Sequence, residues 1–241
     1  MLYVYSPSKK SFIQLKTTVA LFCTILLLGT TSLAQSVRVE LRYGEREFSL
    51  KDSTTKHMGK EIQFSTLRFY LSGFSLFYND SMVWQETNSY HLIDAAQPES
   101  QTWELELPKD LTYNTMRFNI GIDSTTSCSG AMGGDLDPTK GMFWSWNSGY
   151  INFKLEGNYA DCPSRNHQFE YHLGGYAHPY ATLQQLMVAA APDKPIDLHM
   201  DLARFLNGLN LEKEYRVMSP GLKAFEMAVK SREICTNALK K

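Results

Sequence analysis

Apolar and polar residues alternate along most of this chain. Val37, Val39, Leu41 and Tyr43 are interleaved with Ser36, Arg38, Glu40 and Arg42, the period of a half-buried strand. Leu67, Phe69 and Leu71 repeat the pattern, and Phe74, Leu76 and Tyr78 continue it beyond Gly73. A glycine between two alternating runs predicts a bulge or bend. Asn79-Asp80 reads as a turn before Met82-Val83-Trp84, and further strands are predicted at 90–93, 103–107, 115–122, 150–155, 168–173 and 195–200. Short alternating runs broken by turn residues predict a mainly β fold, a single antiparallel β-sandwich with Greek-key-like connections. Helix is minor. One short helix is expected at 201–206, stopped at Gly208. A C-terminal helix is expected from Ser219-Pro220 through Leu222, Phe225, Val229 and Ile234, packed on an edge or end of the sandwich.

The N-terminus departs from this pattern. Lys9, Lys10 and Lys16 precede an apolar run at 19–28, followed by mostly small residues up to Ala34. The run is shorter than the ~20 residues of a spanning helix, so 1–34 reads as a signal peptide cleaved after Ala34. Leu21-Phe22 before Cys23 do not make a lipoprotein box. The chain is thus expected to be exported, periplasmic or extracellular, and not membrane-spanning, with 35–241 as one domain. Removing three lysines leaves 21 of the 24 basic residues against 25 acidic ones, a balance that argues against a nucleic-acid partner. Cys128 and Cys162 lie in turn-rich stretches and could pair in an oxidising compartment, leaving Cys235 odd; three free thiols are the alternative.

The stretch from Gly134 to Tyr150 is the most specific. A glycine-bounded acidic turn leads into Trp144 and Trp146, which share a face if extended, then Gly149-Tyr150 and a strand ending Leu155-Glu156-Gly157. Together with Leu67-Arg68-Phe69-Tyr70-Leu71-Ser72 and Phe169-Glu170-Tyr171-His172-Leu173-Gly174, in this order, the stretch resembles the MbnP-like domain of methanobactin-associated periplasmic copper proteins, over roughly 37–210. The resemblance implies a secreted, non-catalytic β protein that binds one copper ion through histidines and a kynurenine made by oxidising a tryptophan. It also implies a haem-containing oxidase partner for that oxidation. Trp146, at the head of the Gly-Tyr signature, is the first candidate for kynurenine and Trp144 the second. The turn at 134–137 has no histidine, a departure from the pattern of some relatives.

Six histidines are present, with no HExxH, CxxC pair, GxSxG, P-loop or dinucleotide fingerprint. Any metal must be held by residues distant in sequence. If Phe169, Tyr171 and Leu173 face the core, His172 lies on the opposite face; it matches the family's HLG histidine and is the first metal candidate. His57 beside Met58 offers imidazole and thioether, a donor pair suited to reduced copper. His199, between Leu198 and Met200, is a lower-ranked ligand within reach of Asp197 or Asp201. Each of these is also explained as a hydrogen-bonded or exposed histidine. His91, His167 and His178 read as surface. Asp135 and Asp137 are candidates for calcium, although an Asp-Pro turn is the commoner use of such spacing. An alternative function is a carbohydrate- or polymer-binding module, with Trp144 and Trp146 stacking on sugar rings. It requires both indoles exposed and coplanar. A structural or adhesion domain without a small ligand is a third reading.

Overall fold

The computed structural model describes residues 32–52, 54–146, 149–192 and 194–239. Most of the expected signal peptide lies outside them; the proposed cleavage point falls within the first residues of strand β1 (Ser32–Tyr43).

Two sheets face each other. The larger is built on β4 (Lys60–Tyr78), a 19-residue strand whose length lets it serve several partners in turn. Its first half pairs with β3 (Thr54–His57) and β10 (Gly149–Tyr159), its middle with β6 (Tyr90–Asp94), and its second half with β5 (Ser81–Gln85) and β8 (Thr115–Ile120). β12 (Gln184–Ala189) extends one side through β8, and β11 (Gln168–Gly174) extends the other through β10. The two runs expected on either side of Gly73 are thus one strand. Its register with β8 shifts between Ser72 and Ser75, where Gly73 has φ of +63° and a Cβ would lie 2.5 Å from Asn119 Nδ2. Only glycine fits there.

The smaller sheet comprises β1, β2 (Arg46–Glu47), β7 (Thr102–Pro108) and β13 (Ile196–Asp201). The antiparallel sandwich expected from the pattern is present, with two parallel exceptions: β1 with β13, and β11 with the two-residue β14 (Arg216–Val217). Inward residues of the two sheets form the main core, Val37, Val39, Leu41, Leu105 and Leu198 against Phe64, Leu67, Phe69, Phe153 and Tyr171. Apart from the step from Phe64 to Leu67, where the β4–β10 register shifts, these side chains recur at every second position along each strand, which makes the alternation readable.

Helices close the sandwich. α1 (Ser124–Cys128) was not anticipated; Asp123 caps it, accepting from Thr126 N at 2.9 Å. α2 (Leu202–Leu206) follows β13 and is capped by Asp201. The C-terminal helix, α3 (Leu222–Ser231), starts two residues beyond Pro220, because Gly221 at φ +147° is its N-terminal boundary. It packs against β11 and β12 through Ala224 and Met227. No helix among the described residues is long and apolar enough to cross a membrane.

A second, smaller apolar cluster lies on the outer face of the large sheet. Tyr70, Leu92, Tyr150 and Ile151 meet Ile122, Leu136, Met142 and Trp144, contributed by the excursion at 122–144. Tyr70 stands between inward-facing Phe69 and Leu71, so it must point outward. Its hydroxyl donates to Asp135 O at 2.9 Å, and that of Tyr150 donates to Leu136 O at 3.0 Å, tying the excursion down. The free side of β6 is closed by this excursion at Leu92 and by the turn following β6 at Asp94. Leu92 N donates to Asp135 Oδ2 at 2.9 Å, and Asp94 N to Ser100 Oγ at 2.9 Å.

Candidate functional site

His172 occupies the face expected for it. Phe169, Tyr171 and Leu173 enter the main core, and His172 is opposite Lys154 on the outer side of the sheet. It is nevertheless buried, at 7% exposure. Its Nε2 lies 2.7 Å from Glu156 Oε1, and Glu156 Oε2 accepts from Thr66 Oγ1 at 2.7 Å. Lys154 Nζ is 3.5 Å from the same carboxylate. The hydrogen bond from His172 is the main cause holding the Glu156 carboxyl down at about 2; the Thr66 bond adds to it, and burial opposes it.

The tryptophan segment borders this pair. Gly174 shares the outer face with His172 two residues earlier, and Trp144 packs directly over it. A Cβ on Gly174 would lie 2.8 and 2.9 Å from two Trp144 ring carbons. Trp144 belongs to β9 (Phe143–Trp144), paired with Gly149 and Tyr150, which places its ring across the end of β10 and β11. Trp146 lies outside this packing. Its ring centroid is 5.7 Å from that of Trp144 at an interplanar angle of 44°, and it is 64% exposed whereas Trp144 is buried. The indoles are neither coplanar nor both exposed, so they do not form the flat platform that the sugar-binding reading requires.

The remaining histidine candidates are not brought to this place. His57 is on β3 and faces the main core, where its ring meets Tyr159 edge-on and its Nδ1 lies 3.2 Å from the Tyr43 hydroxyl. Tyr159 is five residues along β10 from Lys154, so His57 is on the opposite face and about 17 Å along the strand from His172. Burial lowers its pKa, and its Nε2 has no hydrogen-bond partner. Met58, at φ +50° in the hairpin turn, is 78% exposed. His199 is on the outer face of the small sheet. Its Nε2 is 3.5 Å from Glu40, while Asp197 pairs with Arg38 and Asp201 caps α2. Among the described residues no three His, Cys, Asp or Glu side chains converge as a metal site.

The acidic turn is used structurally. Asp137 accepts from Thr139 N at 2.8 Å and Thr139 Oγ1 at 2.7 Å, an Asp-Pro turn, and Asp135 binds Leu92 N and Lys140 Nζ. Both calcium candidates therefore have protein donors on their carboxylates. The three described cysteines are free thiols, with Cys128 exposed and Cys162 and Cys235 buried.

Two features escaped the sequence reading. Glu156 was seen only as part of a signature, because its pairing with His172 depends on the β10–β11 register. His91, read as surface, is half-buried: it stacks on Trp103 at 4.3 Å and bonds Glu86 at 2.9 Å. It lines a cleft of about 470 Å³ whose main charges, Arg68 with Asp94 and Lys140 with Asp135, are already paired.

A family model, MbnP, matches residues 32–219. The solved structure of MbnP from Methylosinus trichosporium has the same fold, with a TM-score of 0.55 and 15% sequence identity over 76% of this chain and 80% of that one. No curated protein matches. With the matched region spanning both sheets, the His172–Glu156 pair and the tryptophan segment, the chain belongs to the MbnP family.

Proposed function

We propose that this chain is an exported copper-binding protein with no turnover of its own, its metal held at His172 beside the tryptophan segment. One observation supports the reading above the others. A buried imidazole is bound through one nitrogen to a carboxylate, two residues along its strand from the glycine over which Trp144 packs, in a chain of the MbnP family. Metal-binding histidines commonly carry such a carboxylate on the second ring nitrogen.

The donor set decides how far the fit extends. His172 suits copper, but His57, His199 and Met58 do not join it, and an intact indole is not a ligand. The second nitrogen therefore has to come from Trp146 or Trp144 after conversion to kynurenine by a haem-containing oxidase partner. Trp146 is the more accessible to such a partner. Trp144 lies closer to the His172 strand. When bound, copper would supply only a held ion; the chain supplies the donors and the cover.

The test is to purify the exported protein, load it with copper, remove the excess and count bound metal, in parallel with His172→Ala, His57→Ala and His199→Ala. One ion per chain, lost only in the His172 variant, is expected. Sub-stoichiometric, weakly held copper in the parent protein would refute the reading. Intact mass and peptide mapping show whether a tryptophan is oxidised, with Trp146 or Trp144 expected and Trp84 and Trp103 unmodified. Equal affinity in modified and unmodified protein would remove kynurenine from the site.

A further inference from the structure

We propose that Glu156 is the positioning residue of this site: it fixes the tautomer of His172 and thereby selects Nδ1 as the nitrogen presented to metal. The inference rests on the reading of His172 as a ligand and adds which atom binds and what sets it.

An ionised carboxylate only accepts hydrogen bonds, so at 2.7 Å the His172 Nε2 must be the donor. In the neutral ring that leaves the lone pair on Nδ1. The carboxylate itself is held. Its other oxygen accepts from Thr66 Oγ1 at 2.7 Å on the neighbouring strand, directly across from it in register. Three adjacent strands thus contribute one residue each, Thr66 from β4, Glu156 from β10 and His172 from β11, and none of the three can turn without breaking a bond. Lys154 adds a link to the tryptophan segment: its Nζ is 3.5 Å from Glu156 Oε1 and 3.4 Å from Gly141 O, in the turn just before Trp144. The element that orients the imidazole therefore also touches the element that carries the indoles.

Glu156→Gln is the discriminating substitution, since it preserves size. An amide offers oxygen as an acceptor or nitrogen as a donor by turning over, so it serves either His172 tautomer. Ring-nitrogen NMR of the metal-free exported protein is expected to show His172 as the Nε2–H tautomer in the parent and a mixture in Glu156→Gln. Copper ions delivered against a competing chelator are expected to bind Glu156→Gln about 10–100-fold more weakly. Thr66→Val, which frees the carboxylate but keeps it, is expected to lose less. Finding His172 as the Nδ1–H tautomer in the parent overturns the inference. So does a Glu156→Gln protein that keeps both the parent tautomer and the parent affinity while His172→Ala loses copper. Copper binding that survives His172→Ala instead overturns the ligand reading on which the inference stands.

Discussion

Replacing Gly174 with alanine tests the seating of Trp144 over the β10–β11 ladder. A Cβ at this position would lie 2.4 Å from Tyr150 O and 2.8 and 2.9 Å from ring carbons of Trp144. The first contact is to backbone across the β10–β11 ladder, so side-chain rotation cannot relieve it. Two effects oppose each other. Alanine reduces the freedom of the unfolded chain relative to glycine, worth about 0.5–1 kcal/mol in its favour. Overpacking at a tight buried site costs about 1–3 kcal/mol. The net expectation is a loss of about 1–2 kcal/mol, which for a chain of this size lowers the melting temperature by about 2–8 °C. Thermal unfolding followed by circular dichroism measures it, and Trp144 leaving its seat should shift the fluorescence to longer wavelength. Gly133→Ala is the matched control. Gly133 has an extended backbone, φ −98°, with nothing within 4 Å of its Cβ position, so it should melt as the parent or slightly higher. A Gly174→Ala protein that melts at or above the parent, with unchanged emission, would refute the placement of Trp144.

Three other outcomes follow from buried groups. His57 has its pKa lowered by burial, so the unfolded chain binds the extra proton first; stability should fall as pH drops below about 6.5, and His57→Leu should flatten that slope. Urea titrations from pH 7.5 to 5 with parallel slopes for both proteins would contradict this. The Glu156 carboxyl, lowered from 4.5 to about 2, stabilises the fold above its unfolded value. That contribution, up to about 3 kcal/mol, should disappear as pH falls from about 4.5 towards 2, and Glu156→Gln should lack this acid limb when the same titrations are extended downward. Finally, a thiol reagent should modify Cys128 rapidly in the native chain, with Cys162 and Cys235 reacting only on unfolding; burial also pushes the Cys235 thiol up to about 11. A chain with no fast-reacting thiol would count against the arrangement seen here.

The readable and unreadable parts of this protein divide along locality. Alternation marked most strands because one face of each sheet enters the main core, and it put His172 on the outer side because Phe169, Tyr171 and Leu173 so clearly belonged inside. The same logic failed for β12, whose Gln184-Gln185 start hides a strand that buries Leu186 and Val188. It also failed for His57. Its polar neighbours fit an exposed histidine, but the hairpin of β3 and β4 folds that residue inward against Tyr159. Whether two candidate ligands share a face of one sheet depends on turns and register over a hundred residues. The His172–Glu156 pair is the same kind of fact: 16 residues apart in sequence, it exists only because β10 and β11 pair as they do.

The seal on β6 has a consequence for how the protein behaves outside its native state. An open strand edge is a template for another copy of the chain. Here the outward N–H of Leu92 is occupied by Asp135, a residue of the excursion that also carries Trp144. Any event that peels this excursion away therefore does two things together: it unseats Trp144 and leaves a bare edge able to recruit a neighbour. Unseating of Trp144 and self-association would then share one opening, so the integrity of the tryptophan segment also sets how well the chain resists pairing through this edge.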